Sequence, residues 1–229
     1  MSPIPSAIAK PSIDAIIFDL GRVIVRLEPA RASSIIRKPG ISAESPQIPA
    51  GQIWTAIQKD PLWTPWQEGR VTPRQWHEHL GESFGIRTPF QTFVDAWNAV
   101  IVPEPDLLLP DALLEQLAKT HRLVALSNTD PIHVEHLESS FRFLRHFSAH
   151  IYSCAVGVCK PDPRIFQAAI DAAQASADRI LYIDDVLEYV LAARQLGLQS
   201  IQFLDRPELE AELRSRRVLP PFDRHKART

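Results

Sequence analysis

Asp19, Ser127, Lys160 and the adjacent pair Asp184 and Asp185 are far apart along the chain, yet each sits in a stretch that follows or borders an apolar run. Two neighbouring carboxylates at the end of a buried strand repel one another, and a cation relieves that repulsion. Structural readings stand beside the functional one at each position. Ser127 would serve as a helix cap, Lys160 as a surface charge beside the proline-rich turn Pro161-Asp162-Pro163, and the acidic pair as turn residues. What favours chemistry is the coincidence: four separated stretches placed where strands end.

The elements that must position these groups are legible as alternating patterns. Short apolar runs at 13–18, 123–126, 151–154, 180–183 and 200–203 have the composition of buried strands. Helical spacing appears at 111–119, 131–138, 163–173 and 187–196, the last stopping at Gly197. Strand–helix alternation of this length predicts an α/β fold, a Rossmann-like parallel sheet with helices on both faces. Such sheets bind ligands at the carboxyl ends of their strands.

Residues 29–105 interrupt that rhythm. Strand-like runs vanish and all five tryptophans appear, at Trp54, Trp63, Trp66, Trp76 and Trp97. Helices are expected at 72–80, where Thr72-Pro73-Arg74-Gln75 resembles a capped start, and at 90–100. The segment is therefore expected as a helical insertion whose tryptophans form its own core, with a loop at 41–49. The expected division is 11–28 and 106–205 for the sheet domain and 29–105 for the insertion. Residues 1–10 and 214–229 are expected as tails.

The 229 residues are 45% hydrophobic, enough to fill a globular core. A formal net charge of −2, with Lys and Arg scattered except near the C-terminus, provides no field to attract nucleic acid. Cys154 and Cys159 are too few for a disulfide framework and are expected as reduced thiols. Pro3, Pro5 and Pro11 break up the first residues, so no signal peptide is expected, and no run reaches membrane-spanning length. A cytoplasmic protein without membrane partners is the expectation.

The chain resembles the haloacid dehalogenase superfamily of hydrolases over about residues 13–204. The resemblance rests on Phe18-Asp19-Leu20-Gly21-Arg22-Val23, Ser127-Asn128-Thr129, Lys160-Pro161-Asp162-Pro163 followed by Ile165-Phe166, and Asp184-Asp185. The 29–105 insertion is similar to the family's helical cap. Phe18-Asp19-Leu20-Gly21, Gly69-Arg70-Val71-Thr72 and the run from Asn128 to His133 resemble its glucose-1-phosphatase-like branch. The resemblance implies a Mg²⁺-dependent phosphatase acting on a small-molecule phosphate. Asp19 would be the nucleophile that forms an aspartyl-phosphate. Asp19, the Gly21 carbonyl and Asp185 would hold Mg²⁺, with Asp184 in its outer shell. Ser127 and Asn128 would grip phosphate oxygens, and Lys160 would supply fixed positive charge.

Gly21 departs from the family pattern, which usually has an acid there to protonate the leaving oxygen and then activate water. Losing such help costs roughly 10²–10⁴-fold, so a good leaving group is expected: an anomeric sugar phosphate, an aryl phosphate or an acyl phosphate. Two other readings stand. One is a dehalogenase, which needs no proton for its halide but in metal-free members tends to replace the acidic pair. The other is a binding module that keeps the fold without turnover. Tyr189, where related sequences often have Asn, is expected to affect metal support or simply to pack. His133, His136 and His146, and likewise His77 and His79, are expected as solvated helix residues. The cap is expected to gate substrate entry, with Trp66 and Arg70 as positions to test.

Overall fold

A computed structural model describes residues 12–36 and 52–221, with the main chain alone for 33–36. The expected tail at 1–10, the end beyond 221 and the loop at 41–49 lie outside the described residues. Five strands form one parallel sheet: β1 (Ala15–Phe18), β2 (Arg122–Ser127), β3 (Ala149–Tyr152), β4 (Ile180–Asp184) and β5 (Gln199–Gln202), in the order β3-β2-β1-β4-β5. Strand order reverses between β1 and β4, and that crevice is where an open sheet binds ligands. The register pairs Phe18 with both Ala125 and Ile183, so the ends of the three central strands are level.

Side chains alternate between two packed faces, which explains why these strands read as continuous apolar runs. Ile16, Phe18, Leu123, Leu181 and Ile183 face one core. There they meet leucines of α6 (Asp111–Ala118), α7 (Pro131–Ser140) and α11 (Arg206–Ser215). Ala15, Ile17, Val124, Leu126, Ile180 and Tyr182 face the other core, against α9 (Pro163–Ala173) and α10 (Leu187–Gln195). A single turn, α8 (Ser153–Val156), follows β3.

The helical cap inserted after the first strand comprises α1 (Pro29–Ile36), α2 (Ile53–Gln58), α3 (Trp63–Gln67), α4 (Pro73–Phe84) and α5 (Phe90–Asn98). It packs around its own cluster, in which Trp66, Trp76 and Trp97 are fully buried. Each such burial contributes on the order of 2–3 kcal/mol. The two chain segments joining cap to sheet domain pair with each other: Glu28 N–H donates to Val100 O at 2.7 Å and Val102 N–H to Arg26 O at 3.0 Å.

Several boundaries differ from expectation. The third strand ends at Tyr152, because the Ser153 hydroxyl turns inward to bond the main chain of Gln67 and Thr129. Helix α4 starts with the expected capping box but runs past Gly81 to Gly85, whose φ of 69° ends it. The tail expected from 214 is folded as far as 221. Helix α11, absent from the expectation, buries Leu209 and Leu213, and beyond it Val218 and Leu219 are also buried. No helix among the described residues is long and apolar enough to cross a membrane.

Candidate active site

Asp19 follows β1 directly, and its N–H donates to Ile183 O at 2.9 Å, which holds it against the end of β4. The Lys160 ammonium lies 2.8 Å from Asp19 Oδ1, 2.7 Å from Asp184 Oδ2 and 3.2 Å from Leu126 O. Lys160 is only 4% exposed, so its charge is spent on these acceptors. Burial opposes the Lys160 charge, but Asp19 and Asp184 outweigh burial and raise its pKa.

The acidic pair divides its work. Asp184 is fully buried and saturated: Oδ2 accepts from Lys160 and from the Tyr182 hydroxyl, and Oδ1 accepts from Val186 N–H at 2.8 Å. Asp185 is half-buried, and among the described residues its carboxylate is bonded only by its own main-chain N–H. Ligand oxygens of Asp19, Asp184 and Asp185 lie within 4.8 Å of one another. Three carboxylates face one buried ammonium, with the exposed Arg22 charge acting on Asp185 from outside, so negative charge is in excess and a divalent cation would offset it. The donors are hard oxygens, as Mg²⁺ prefers. Burial, with Asp184 and Asp185 adding to it and Lys160 opposing, raises the Asp19 carboxyl pKa to about 7. Burial and Asp184 likewise raise Asp185.

Gly21 sits in a tight turn where Leu20 O accepts the N–H groups of Val23, Ile24 and Val25. Its own carbonyl accepts nothing among the described residues, which suits it as an oxygen ligand. A Cβ at Gly21 would stand 3.2 Å from Leu27 Cδ1. Leucine thus presses against the side on which an acid would project.

Asn128 holds Lys160 rather than facing outward. Its Oδ1 accepts from Lys160 N–H at 2.7 Å and its Nδ2 donates to Lys160 O at 3.0 Å, so the carboxamide is engaged across 32 residues of sequence. The carboxamide is thus engaged within the protein, which leaves the main-chain N–H of Asn128 as its amide group for a phosphate oxygen. The Ser127 hydroxyl has no partner among the described residues and lines the same cavity as Asp19 and Lys160. Tyr189 packs its ring 5.1 Å from the Lys160 ammonium, a cation–π support rather than filler.

Sequence reasoning missed the groups that lock the loop after β2. Asp130 caps α7 through Oδ1, and its Oδ2 accepts from Trp97 Nε1 and His133 Nδ1, each at 3.0 Å. His133 Nε2 faces Trp97 O at 3.0 Å. Both ring nitrogens meet acceptors, which requires the imidazolium. Burial disfavours both charges, yet each offsets it for the other: Asp130 is held below and His133 above the ordinary value. His133 is therefore largely enclosed in a cap–core link, its side chain 12% exposed, and is not solvated as expected. His146 is also enclosed, bonded to Asp111. His77 bonds to Thr88 O and His79 to Asp60, and none of these histidines joins a metal cluster among the described residues. On the other side of the loop, Ser153 bridges Thr129 to Gln67 of the cap. Close by, Gly69, at φ 69°, approaches so tightly that a Cβ would lie 2.2 Å from Cys154 O. Cys154 and Cys159 are free thiols, each raised to about 11 by burial.

The cavity over these groups measures about 240 Å³ and is roofed by the cap through Trp54, Gln58, Trp63 and Gln67. Trp66 belongs to the cap core and Arg70 pairs with Glu68 on the surface. Neither lines the cavity, which corrects their choice as test positions.

Residues 13–197 match the family model of the haloacid dehalogenase-like hydrolases, and the chain belongs to that family. It is similar to mouse acyl-CoA dehydrogenase family member 10, 27% identical over 86% of this chain but only 18% of that protein. The chain therefore spans less than a fifth of that relative. A relative of comparable length is the D-ribitol-5-phosphate phosphatase of Bacteroides thetaiotaomicron, 24% identical over 83% of this chain and 91% of that one. A haloacid dehalogenase family enzyme of the same organism, solved with magnesium and inorganic phosphate, superposes with a TM-score of 0.69 at 24% identity. The match covers 83% of this chain and 94% of that chain. The family is one of hydrolases, and the relatives of this chain include a phosphatase.

Proposed function

We propose that this hydrolase is a Mg²⁺-dependent phosphatase that takes a small phosphate ester with a good leaving group and works through an aspartyl-phosphate on Asp19. The observation that carries the reading is the Asp19–Lys160–Asp184 arrangement beside the open carboxylate of Asp185. Lys160 occupies Asp19 Oδ1, which leaves Oδ2 for attack on phosphorus. Asp19, the Gly21 carbonyl and Asp185 would hold Mg²⁺, with Asp184 behind them. When bound, the ion offsets the charge of phosphate against carboxylate.

In the first step Asp19 Oδ2 bonds to phosphorus as the bond to the leaving oxygen breaks. Gly21 has no proton to give, so the departing oxygen leaves as an anion or takes its proton from water. In the second step water attacks phosphorus, and Asp19 is regenerated as phosphate departs. Ser127 would hold a phosphate oxygen, while Asn128 keeps Lys160 in register. The ribitol phosphate phosphatase supports this assignment, as does a sesquiterpene phosphatase of Aspergillus oryzae, 22% identical over 87% of this chain and 94% of that one. An acidic pair of which Asp185 has no ion-pair partner among the described residues disfavours metal-free halide displacement.

The deciding experiment is Mg²⁺-dependent release of phosphate from para-nitrophenyl phosphate, with Asp19→Asn as control. Loss of turnover in Asp19→Asn, with the fold intact, supports the reading. Failure of the parent protein to turn over any phosphate, with Mg²⁺ still bound, favours a binding module instead.

A further inference from the structure

We infer that the leaving group of the substrate is uncharged and presents a ring or hydrocarbon face to the cap, so that the enzyme selects monophosphate esters of neutral alcohols or phenols. This rests on the phosphatase reading and narrows it. The cavity has two unlike halves. Its floor, at the strand ends, carries Asp19, Asp184, Asp185 and Lys160, and the charge of Arg22 reaches Asp185. Its roof is formed by Leu27, Trp54, Gln58, Trp63, Gln67 and Val100. No described residue of the cap places an ionisable group in that wall.

The ionisable groups that remain, Asp130 and His133, satisfy each other, Trp97 and the start of α7. A carboxylate, a second phosphate or an ammonium on the leaving group would meet no opposite charge from a described cap residue there, the exposed Arg22 guanidinium lying at the floor beside Asp185, and shedding water against that wall is costly. Apolar surface, by contrast, is offered from the nucleophile outward. Leu27 presses against Gly21 where an acid would project. The cap tryptophans divide in the same sense. Trp66, Trp76 and Trp97 are fully buried, whereas Trp54 and Trp63 are partly exposed at the cavity, edge to face with centroids 6.0 Å apart. Tryptophans left uncovered at a cavity wall are stacking surfaces for a ring or a C–H face. Gln58 and Gln67 supply hydrogen bonds to a hydroxyl without supplying charge.

The test compares phenyl phosphate with 4-carboxyphenyl phosphate, whose phenol is the better leaving group, and with acetyl phosphate, all with Mg²⁺. Phenyl phosphate is expected to show kcat/KM at least about tenfold above its carboxylated analogue, against the order of leaving-group quality. Gln58→Lys, at an exposed position that tolerates it, should close most of that gap. Trp63→Leu should lower kcat/KM for phenyl phosphate about tenfold more than for acetyl phosphate, which carries no ring to stack. Equal efficiency for the two aryl esters, or a gap that Gln58→Lys leaves unmoved, overturns the inference while the phosphatase reading stands. Turnover of none of the three overturns both.

Discussion

The floor and the roof of the cavity obey different physics. On the floor almost every polar atom is committed: Lys160 to three acceptors, Asp184 to three donors, Asn128 to the main chain of Lys160. Asp19 Oδ2, the Ser127 hydroxyl, the Gly21 carbonyl and the Arg22 guanidinium have no hydrogen-bond partner among the described residues. The roof is the opposite: its described residues are aromatic, aliphatic and amide groups that carry no charge. A floor so constrained admits one chemistry, whereas a roof so neutral sorts substrates by shape and polarity. The comparison predicts that floor substitutions destroy turnover and roof substitutions redirect it.

Lys160→Met gives the sharpest test of the floor. It removes the partner of two buried carboxylates and is expected to lower kcat at least about 10³-fold. Breaking a buried pair should also cost about 3–5 kcal/mol of stability, readable as a lower melting temperature that Mg²⁺ partly restores. Activity retained within tenfold would show that the floor is not a single unit. Gly21→Asp tests the boundary between the two regions. The new Cβ requires Leu27 Cδ1, at 3.2 Å, to move by a few tenths of an ångström, and a leucine side chain end can do so. With an acid restored, hydrolysis of a simple alkyl phosphate should rise about 10²-fold relative to para-nitrophenyl phosphate. No change in that ratio would mean that leaving-group protonation is not what the glycine removed.

The floor was more legible in the sequence than the roof, for a physical reason. Strand-end acids follow apolar runs, so Asp19 and Asp184 announce themselves locally. The two-residue period of a strand also puts Tyr182 on the same side as Asp184, a signal that was present and unread. The bonds that the Asn128 carboxamide makes are not legible locally, because their partner is a main chain 32 residues away. His133 was misplaced on the same ground: the spacing of three to His136 defines a helix face but not the Trp97 carbonyl that covers it. In the roof, composition marked five tryptophans without indicating which three would be buried. Helix α11 escaped notice because its charged residues mask Leu209 and Leu213, four apart on one face.

Proton and cation compete for the floor, and the sign follows from Asp19. Its pKa in the folded protein is raised from the ordinary carboxylate range to about 7. Without metal, the favourable contribution of this protonated carboxyl is fully present below the unfolded value and is lost as pH rises through about 7. Mg²⁺ needs the ionised form, so its affinity should fall about tenfold per pH unit below that point and level off above it. Calorimetric titration between pH 5 and 8, values chosen to bracket about 7, checks this. An affinity independent of pH would remove Asp19 from the cation's ligands.

The smallest expected effect lies where floor and roof are joined. Trp97→Phe keeps the ring in the cap core but deletes the Nε1–H that donates to Asp130 Oδ2 at 3.0 Å. Asp130 still has His133 and two main-chain donors, so the loss should be about 1.5–3 kcal/mol for one hydrogen bond to a charged group, plus the cavity that the smaller ring leaves in the cap core. If the link merely stabilises, the melting temperature drops and kcat/KM for every ester falls alike. If it holds the roof in register over the floor, KM for phenyl phosphate rises while KM for acetyl phosphate changes less. That split would show that the neutral half of the cavity depends for its placement on a charged pair outside the catalytic cluster, and a uniform fall would show that the two halves are aligned by Gln67, Ser153 and Gly69 without it.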